Sequence, residues 1–413
     1  VLRNKQIMVS GFLSLLETVG DMSLLLIQQY FPFMKKCTLF LPPTERTKQE
    51  VSVNSIKGIQ VTNSTIEECM EFFLTFDIST SDEGGSLELE SVNGVVKCQM
   101  SETWRHTYTP QFNTLSLHWY SKNLQQEILW AMLISPEVFE FKNIEALKST
   151  VRLRENIVRN ACKTALTFET EKAKRPHEFW RYEEEKGFIL QPHVSLIDAL
   201  IKTTQPGPTE EHFDFSCYRA TEYVILLSIA QEAVVYNPDL FHRLQNRWRT
   251  RDIRSAQFHK TFLNEYGSQN KPLPKQFFIP GDRIWFKNPH EPSSNVEGYE
   301  GSWVFYIGGG LFSNFWKQDK AYTEPFTLDM KCIYIYHWRD GLQYSSDGKH
   351  WVEEEVVKSQ ISQTLHCSSK RECILNKMMR IQDPKDIFRE GGCLDRTREV
   401  PKQIHPSCCE LNV

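Results

Sequence analysis

Apolar positions recur at helical spacing along much of the chain. Between Asn123 and Met132, residues Leu124, Ile128, Leu129 and Met132 fall at i, i+4, i+5 and i+8, the stripe of an amphipathic helix. A longer stripe over Ile144–Phe168 uses Leu147, Val151, Ile157, Val158, Ala161 and Leu166. Its opposite face carries Arg152, Arg154, Glu155 and Arg159 and reads as solvated. Shorter helical patterns cover Ser64–Phe76 and Val194–Ile201, and Met8–Phe33 also reads as helix. The segment Tyr218–Val235 is apolar nearly all round, which predicts a buried helix, with Ser216 or Asp214 as its N-cap. β-prone runs predict strands at Val51–Val53, Leu87–Leu89, Val95–Val96, Gly187–Leu190, Phe277–Ile279, Arg283–Phe286, Trp303–Ile307, Leu311–Phe315, Ile333–His337 and Leu342–Tyr344. Gly308-Gly309-Gly310 reads as a hairpin turn, since no Lys-Ser/Thr and no helix follow it as a phosphate loop requires.

Helices come first, then a Cys at a helix start, then an antiparallel meander. The expected fold class is therefore α+β, in the element order of papain-like enzymes. The Pro-containing polar stretch Thr107–Asn113 suggests a first boundary. Three parts are expected: an N-terminal α+β domain over 1–108, a central domain over 109–347, and a polar, Cys-containing tail over 348–413 read as loosely ordered.

Composition narrows the function classes. The chain has 413 residues, 40% hydrophobic and 24% charged, which excludes wholesale disorder and low-complexity architectures. With 48 basic against 52 acidic groups, no global basic field exists to draw in nucleic acid. Glu17 and Asp21 interrupt the apolar N-terminal stretch, so no membrane span is expected there. The basic start at Arg3 and Lys5 gives only a weak likeness to a signal peptide. Eleven cysteines, several within apolar runs, suggest a reducing compartment rather than a disulfide framework.

Candidate chemistry centres on Cys217. It falls in the first turn of the predicted buried helix, where the partial positive charge of the helix N-terminus lowers a thiol's pKa. Two readings stay open from the residues alone: a small buried hydrophobe, or a nucleophile. The tail contains a false lead at Cys393-Leu394-Asp395-Arg396-Thr397. A phosphatase loop needs Cys, five residues, then Arg, and the sixth position beyond Cys393 is Glu399. The tail cysteines Cys367, Cys373, Cys393, Cys408 and Cys409 lack paired Cys-x-x-Cys knuckles, so they read as no zinc site.

Residues of about 113–345 resemble the spore-type bacterial protein-glutamine γ-glutamyltransferases, which have an NlpC/P60-like, papain-like core. The likeness rests on Leu153-Arg154-Glu155-Asn156-Ile157-Val158, Phe179-Trp180-Arg181, Phe215-Ser216-Cys217, Phe277–Asp282, Phe286-Lys287-Asn288-Pro289 and the aromatic–glycine strand Trp303–Gly308. The resemblance implies a Cys thiolate that attacks a glutamine carboxamide, releases ammonia and passes the acyl group to a lysine or other amine. Its nucleophile position falls on Cys217. Its acidic position falls on Ser302, and Glu300, two residues upstream, is the carboxylate expected to share that strand face and act as base. Its His position falls on Asn314, expected to orient or bind the amide. His337 is a further candidate imidazole, and Glu222, well round the helix from Cys217, is expected to be a satisfied core acid. The implied partners are glutamine-bearing proteins and amine acceptors, with no cofactor required. A papain-like amidase or peptidase and a catalytically silent scaffold are the alternatives.

Overall fold

The computed structural model describes residues 56–80, 86–101, 112–119, 121–169, 173–207, 209–316, 324–383, 388 and 392–413. The expected helix at Met8–Phe33 and strand at Val51–Val53 lie outside these residues, as does most of the expected boundary Thr107–Asn113.

A small sheet opens the described chain. Strand β1 (Ile59–Val61) is followed by helix α1 (Ile66–Leu74) and the hairpin β2 (Leu87–Val92) and β3 (Val95–Met100). Thr65 caps α1 through a capping box with Glu68. Helix α2 (Leu124–Leu133) then leads to strand β4 (Phe139–Phe141), which pairs parallel with β1. Sheet pairing and core packing therefore continue across residue 108. The apolar core that contains Ile59 also contains Ile157, Leu226 and Leu411.

Helix α3 (Ile144–Lys163) starts at Asn143, whose side chain accepts the Ala146 N–H. It carries Glu145 in its first turn and Lys163 in its last, both favourable to the helix dipole. It ends five residues before the expected limit because Thr164 turns extended, and the chain enters β5 (Thr167–Phe168). The hairpin β6 (Trp180–Glu183) and β7 (Gly187–Leu190), helix α4 (Leu196–Thr204) and β8 (Asp214–Phe215) lead into α5 (Cys217–Tyr236). Strand β8 pairs parallel with β5. Helices α6 (Pro238–Thr250) and α7 (Ser255–Phe262) follow.

The central sheet has six strands, all neighbours antiparallel, in the order β13-β12-β11-β10-β16-β9. They are β9 (Leu263–Tyr266), β10 (Arg283–Lys287), β11 (Gly301–Gly308), β12 (Leu311–Phe312), β13 (Phe326–Thr327) and, from the tail, β16 (Arg398–Pro401). A short helix, α8 (Glu291–Ser294), bridges β10 and β11. Period-two alternation along β11 splits its side chains between two cores. Phe305 and Ile307 join the core of α3 and α5, whereas Val304 and Tyr306 join a second core. Helix α9 (Leu328–Gly341), hairpin β14 (Leu342–Tyr344) and β15 (His350–Val352), α10 (Glu354–Leu365) and α11 (Ser368–Met378) lie on that second side. The sheet is thus covered on both faces by helices, an α+β arrangement.

Several sequence expectations are corrected, the first being the solvated reading of Arg154, which is buried and paired with the Asp282 carboxylate at 2.8 Å. Ile333–His337 is not a strand but the middle of α9. Thr327 caps that helix by accepting the Met330 N–H, and its buried positions Leu328, Cys332, Ile335 and Trp338 recur at helical spacing. Phe277–Ile279 is irregular, because side chains take its N–H groups: Thr114 Oγ1 accepts from Phe278 and the Asp282 carboxylate from Ile279. The described residues of the tail form helices and a strand that pack onto the fold. Val357, Ile361, Ile374, Leu375 and Met378 bury against the sheet's second face, and β16 inserts between β9 and β10. Strand Leu311–Phe315 is also shorter than expected, ending at Phe312.

Candidate active site

Cys217 is the first residue of α5. Ser216 caps the helix, its hydroxyl accepting the Arg219 N–H at 3.3 Å, so the cap expected at Ser216 or Asp214 falls on Ser216. The entry to the helix is fixed from behind. The Arg175 guanidinium donates to the Asp214 carbonyl at 2.7 Å and lies 3.6 Å from the Phe215 ring centroid. Apart from its first turn, the helix is mostly buried. That burial anchors the position of Cys217.

Cys217 is half-buried and meets the edge of β11. Even-numbered residues of β11 bond toward β10, as in Tyr306 N–H to the Asp282 carbonyl. Odd-numbered ones bond the other way, as Phe305 does with Ser313. The Trp303 N–H therefore faces the open edge that β12 leaves, and together with the Tyr218 N–H it lends positive character beside the Cys217 sulfur. Both groups favour the thiolate. Burial opposes them and dominates, so the thiol is pushed up from its ordinary value.

Two cations act on this sulfur. Arg283, buried on β10, lies with its guanidinium carbon 4.4 Å from the Tyr218 ring centroid and 4.0 Å from that of Trp303. Its Nε donates to Thr221 Oγ1 at 2.7 Å, and Nη1 pairs with Glu399. Its Nη2 is buried without a partner. The second cation is Lys331 on α9, only 4% exposed, with Nζ 4.7 Å from the Phe326 ring centroid. Burial lowers Lys331 to about 8, against the opposing influence of Cys217, Cys393 and Cys332.

The other expected residues are placed as follows. Glu300 is exposed and accepts the Gly298 N–H at 3.2 Å. It stands one residue before β11 begins, where the Asn288 N–H still donates to its carbonyl at 3.0 Å, and one oxygen of its carboxylate turns back to its own loop. Ser302 is buried on β11 opposite Phe286, on the face toward α9. Asn314 is buried just past β12, its Oδ1 accepting from Trp316 N–H at 3.2 Å and its Nδ2 reaching the Glu324 carbonyl at 3.5 Å. His337 is buried on α9, with its two ring nitrogens engaged by Asp340 at 2.6 Å and Thr364 at 2.8 Å. Glu222 is a core acid but not the fully satisfied one expected: Oε2 is held by Arg219 and Ser255, whereas Oε1 is buried without a partner. Among the described residues no cluster of three His, Cys, Asp or Glu side chains could hold a metal ion. No helix among them is long and apolar enough to cross a membrane.

Sequence reasoning missed the Trp303 N–H, Arg283 and Lys331. A backbone donor leaves no trace in residue identity. Arg283 is a basic residue directly after the turn Pro280-Gly281-Asp282, entering a strand that buries Ile284 and Phe286. Lys331 lies at i+3 from Leu328 and i−4 from Ile335, a lysine on the apolar face of a helix, but only once that segment is read as helical.

A family model described as protein-glutamine gamma-glutamyltransferase matches residues 105–385, which takes in Cys217 and every element around it. The chain belongs to that family. The match runs past the expected boundary at 347, in keeping with the packing of α10 and α11 onto the sheet. Among solved structures, a transglutaminase from Geobacillus stearothermophilus without its C-terminal extension is similar at 21% identity and a TM-score of 0.35, over 47% of this chain and 84% of that one. No curated protein matches the chain. Membership of this transglutaminase family implies protein substrates.

Proposed function

We propose that this transglutaminase-family protein transfers the acyl group of a protein glutamine to an amine through a thioester on Cys217. The sulfur would attack the carboxamide carbon, forming a C–S bond. The C–N bond then breaks and ammonia leaves with the proton given up by the thiol. An amine, such as a lysine side chain, then attacks the thioester and releases the thiol, giving an isopeptide bond. Water in place of the amine gives deamidation. The observation that carries this reading is the setting of Cys217: an N-capped helix start, backbone donors from Trp303 and Tyr218, and two cations around one half-buried sulfur. Such a setting favours charge on sulfur at the moment of attack. Asn314, buried beside the end of β12, is assigned to binding the carboxamide. Glu300 is assigned no proton transfer, since its carboxylate is exposed and one oxygen accepts the Gly298 N–H of its own turn.

The test is incorporation of a labelled primary amine into a glutamine-rich protein. Wild type should incorporate label and release ammonia, Cys217→Ala should do neither, and Glu300→Gln should retain activity. Ammonia release that does not depend on an amine, with no label incorporated, would mark an amidase instead. One observation favours the silent scaffold: burial raises the Cys217 thiol. That reading predicts neither label nor ammonia from wild type.

A further inference from the structure

We propose that Cys332 and Cys393 are a site of reversible oxidative modification, a thiol pair that closes to a disulfide by exchange with a small-molecule disulfide such as oxidised glutathione. The pair lies in the second core, across the sheet from α5, and does not rest on the proposed function. The two sulfurs are 3.4 Å apart, and both residues are fully buried. A disulfide holds its sulfurs about 2.05 Å apart, so an approach of about 1.4 Å completes the bond. A single buried thiol is ordinarily a small hydrophobe. Two in contact have this further reaction open to them.

Each sulfur is carried by a firmly held stretch of chain. Cys332 lies on the buried face of α9 with Leu328 and Ile335. The Cys393 N–H donates to the Met378 carbonyl at 2.9 Å, and its own carbonyl accepts the Lys287 N–H at 2.9 Å and Gln382 Nε2 at 3.1 Å. Leu394, the next residue, bridges to both Phe286 and Ile381. Cys393 is therefore joined to the end of β10 and to the end of α11. The two cysteines stand 61 positions apart, and β14, β15, α10 and α11 lie between them. A covalent link across that span removes freedom from the unfolded chain, so these elements can no longer unfold apart from α9. In the closed protein the sulfur contact and burial hold Cys332 well above the ordinary thiol range, which leaves little thiolate to react. Exchange therefore proceeds when the tail opens locally. One thiol loses its proton, and its thiolate attacks a sulfur of oxidised glutathione, breaking that S–S bond and releasing one glutathione. The second thiol loses its proton and attacks the protein sulfur of the mixed disulfide, forming the Cys332–Cys393 bond and releasing the second glutathione. Two cysteines are oxidised, one glutathione disulfide is reduced to two thiols, and the two protons end on the released glutathiones.

The experiment equilibrates the full chain in glutathione buffers that run from fully reduced to fully oxidised. One set stays native throughout, and a second is unfolded in urea and refolded in the same buffer, so that both thiols have met the oxidant. After an acid quench, free thiols are alkylated and unreduced peptides are mapped by mass spectrometry. The oxidised samples should yield the Cys332 peptide joined to the Cys393 peptide, two hydrogens lighter than their sum. Native hydrogen exchange of the α10 and α11 amides should be roughly tenfold or more slower in oxidised than in reduced wild type. Cys393→Ser should show no such difference between the two buffers. Cys332 and Cys393 both still alkylated after refolding in the oxidised buffer would overturn the proposal, as would either one bonded to a different cysteine. If the chain does not refold, the native set decides by the same criterion. If Cys393→Ser does not fold, the comparison of reduced with oxidised wild type decides alone.

Discussion

Glu127 offers a sharp test of how the turn beside the site is held. It lies on α2, is buried, and points its carboxylate at the triple-glycine turn between β11 and β12. One oxygen accepts the Gly309 N–H at 3.0 Å and the Tyr306 hydroxyl at 3.3 Å. That hydroxyl in turn accepts the Gly310 N–H at 3.2 Å. Burial outweighs these donors and raises the carboxyl from 4.5 to about 7. The folded state therefore keeps this proton where the unfolded chain has released it. The stability it contributes is complete below about pH 4.5 and is lost as pH rises through 7. A shift of this size corresponds to about 3 kcal/mol, most of it lost between pH 5 and pH 8. His118 titrates in the opposite sense. Burial lowers it from 6.5 to about 4, so it adds stability as pH rises through that window and partly masks Glu127 in wild type. The variant Glu127→Gln separates them, because His118 is common to both proteins. Guanidinium unfolding followed by tryptophan fluorescence should show Glu127→Gln gaining about 2–3 kcal/mol on wild type between pH 5 and pH 8. The same difference at both pH values would refute the reasoning, and a widening deficit of the variant would reverse its sign.

Two further outcomes follow from the turn that precedes β10. Asp282→Ala removes the acceptor of Arg154 at 2.8 Å and of the Ile279 N–H at 2.7 Å. It should cost about 3–5 kcal/mol in denaturant unfolding, the usual penalty for orphaning a buried charge. Gly281→Ala should cost about 1–3 kcal/mol in the same assay, because Gly281 has φ +91° and an added Cβ would lie 3.0 Å from the Arg154 Cα. Unfolding of either variant at the wild-type midpoint would mean that this turn is not held as described.

Much of this architecture was legible in the sequence, and the failures have physical causes. The helices around Leu129 and Val151 were readable from apolar spacing, and that around Leu226 from a nearly unbroken apolar run, each behind a polar cap. The hairpin of β11 and β12 was readable from three glycines between aromatic runs. Helix α9 was misread because Ile333-Tyr334-Ile335-Tyr336 also satisfies a period of two, and only the flanking Thr327 cap and Trp338 decide for a helix. The tail was misread because its apolar positions are sparse and bury only against cores that the rest of the chain builds. At the site, Cys217 was visible as a thiol at a helix start. Glu300 keeps its backbone pairing with Asn288, but strand alternation does not fix where an exposed carboxylate at a strand end turns, here to the Gly298 N–H. Lys331 was hidden by the misread helix, since its neighbourhood is made by segments distant in sequence, among them Cys217 and Cys393.

The central claim is that a glutamine acyl group is carried on Cys217. The direct measurement is intact and peptide mass spectrometry after mixing the protein with a glutamine-bearing peptide and no amine acceptor, quenched in acid. The account predicts an adduct of the peptide's mass less one ammonia, mapped to the peptide containing Cys217, absent from Cys217→Ala and discharged by added amine. No adduct and no released ammonia from wild type, or an adduct that persists in Cys217→Ala, would contradict it.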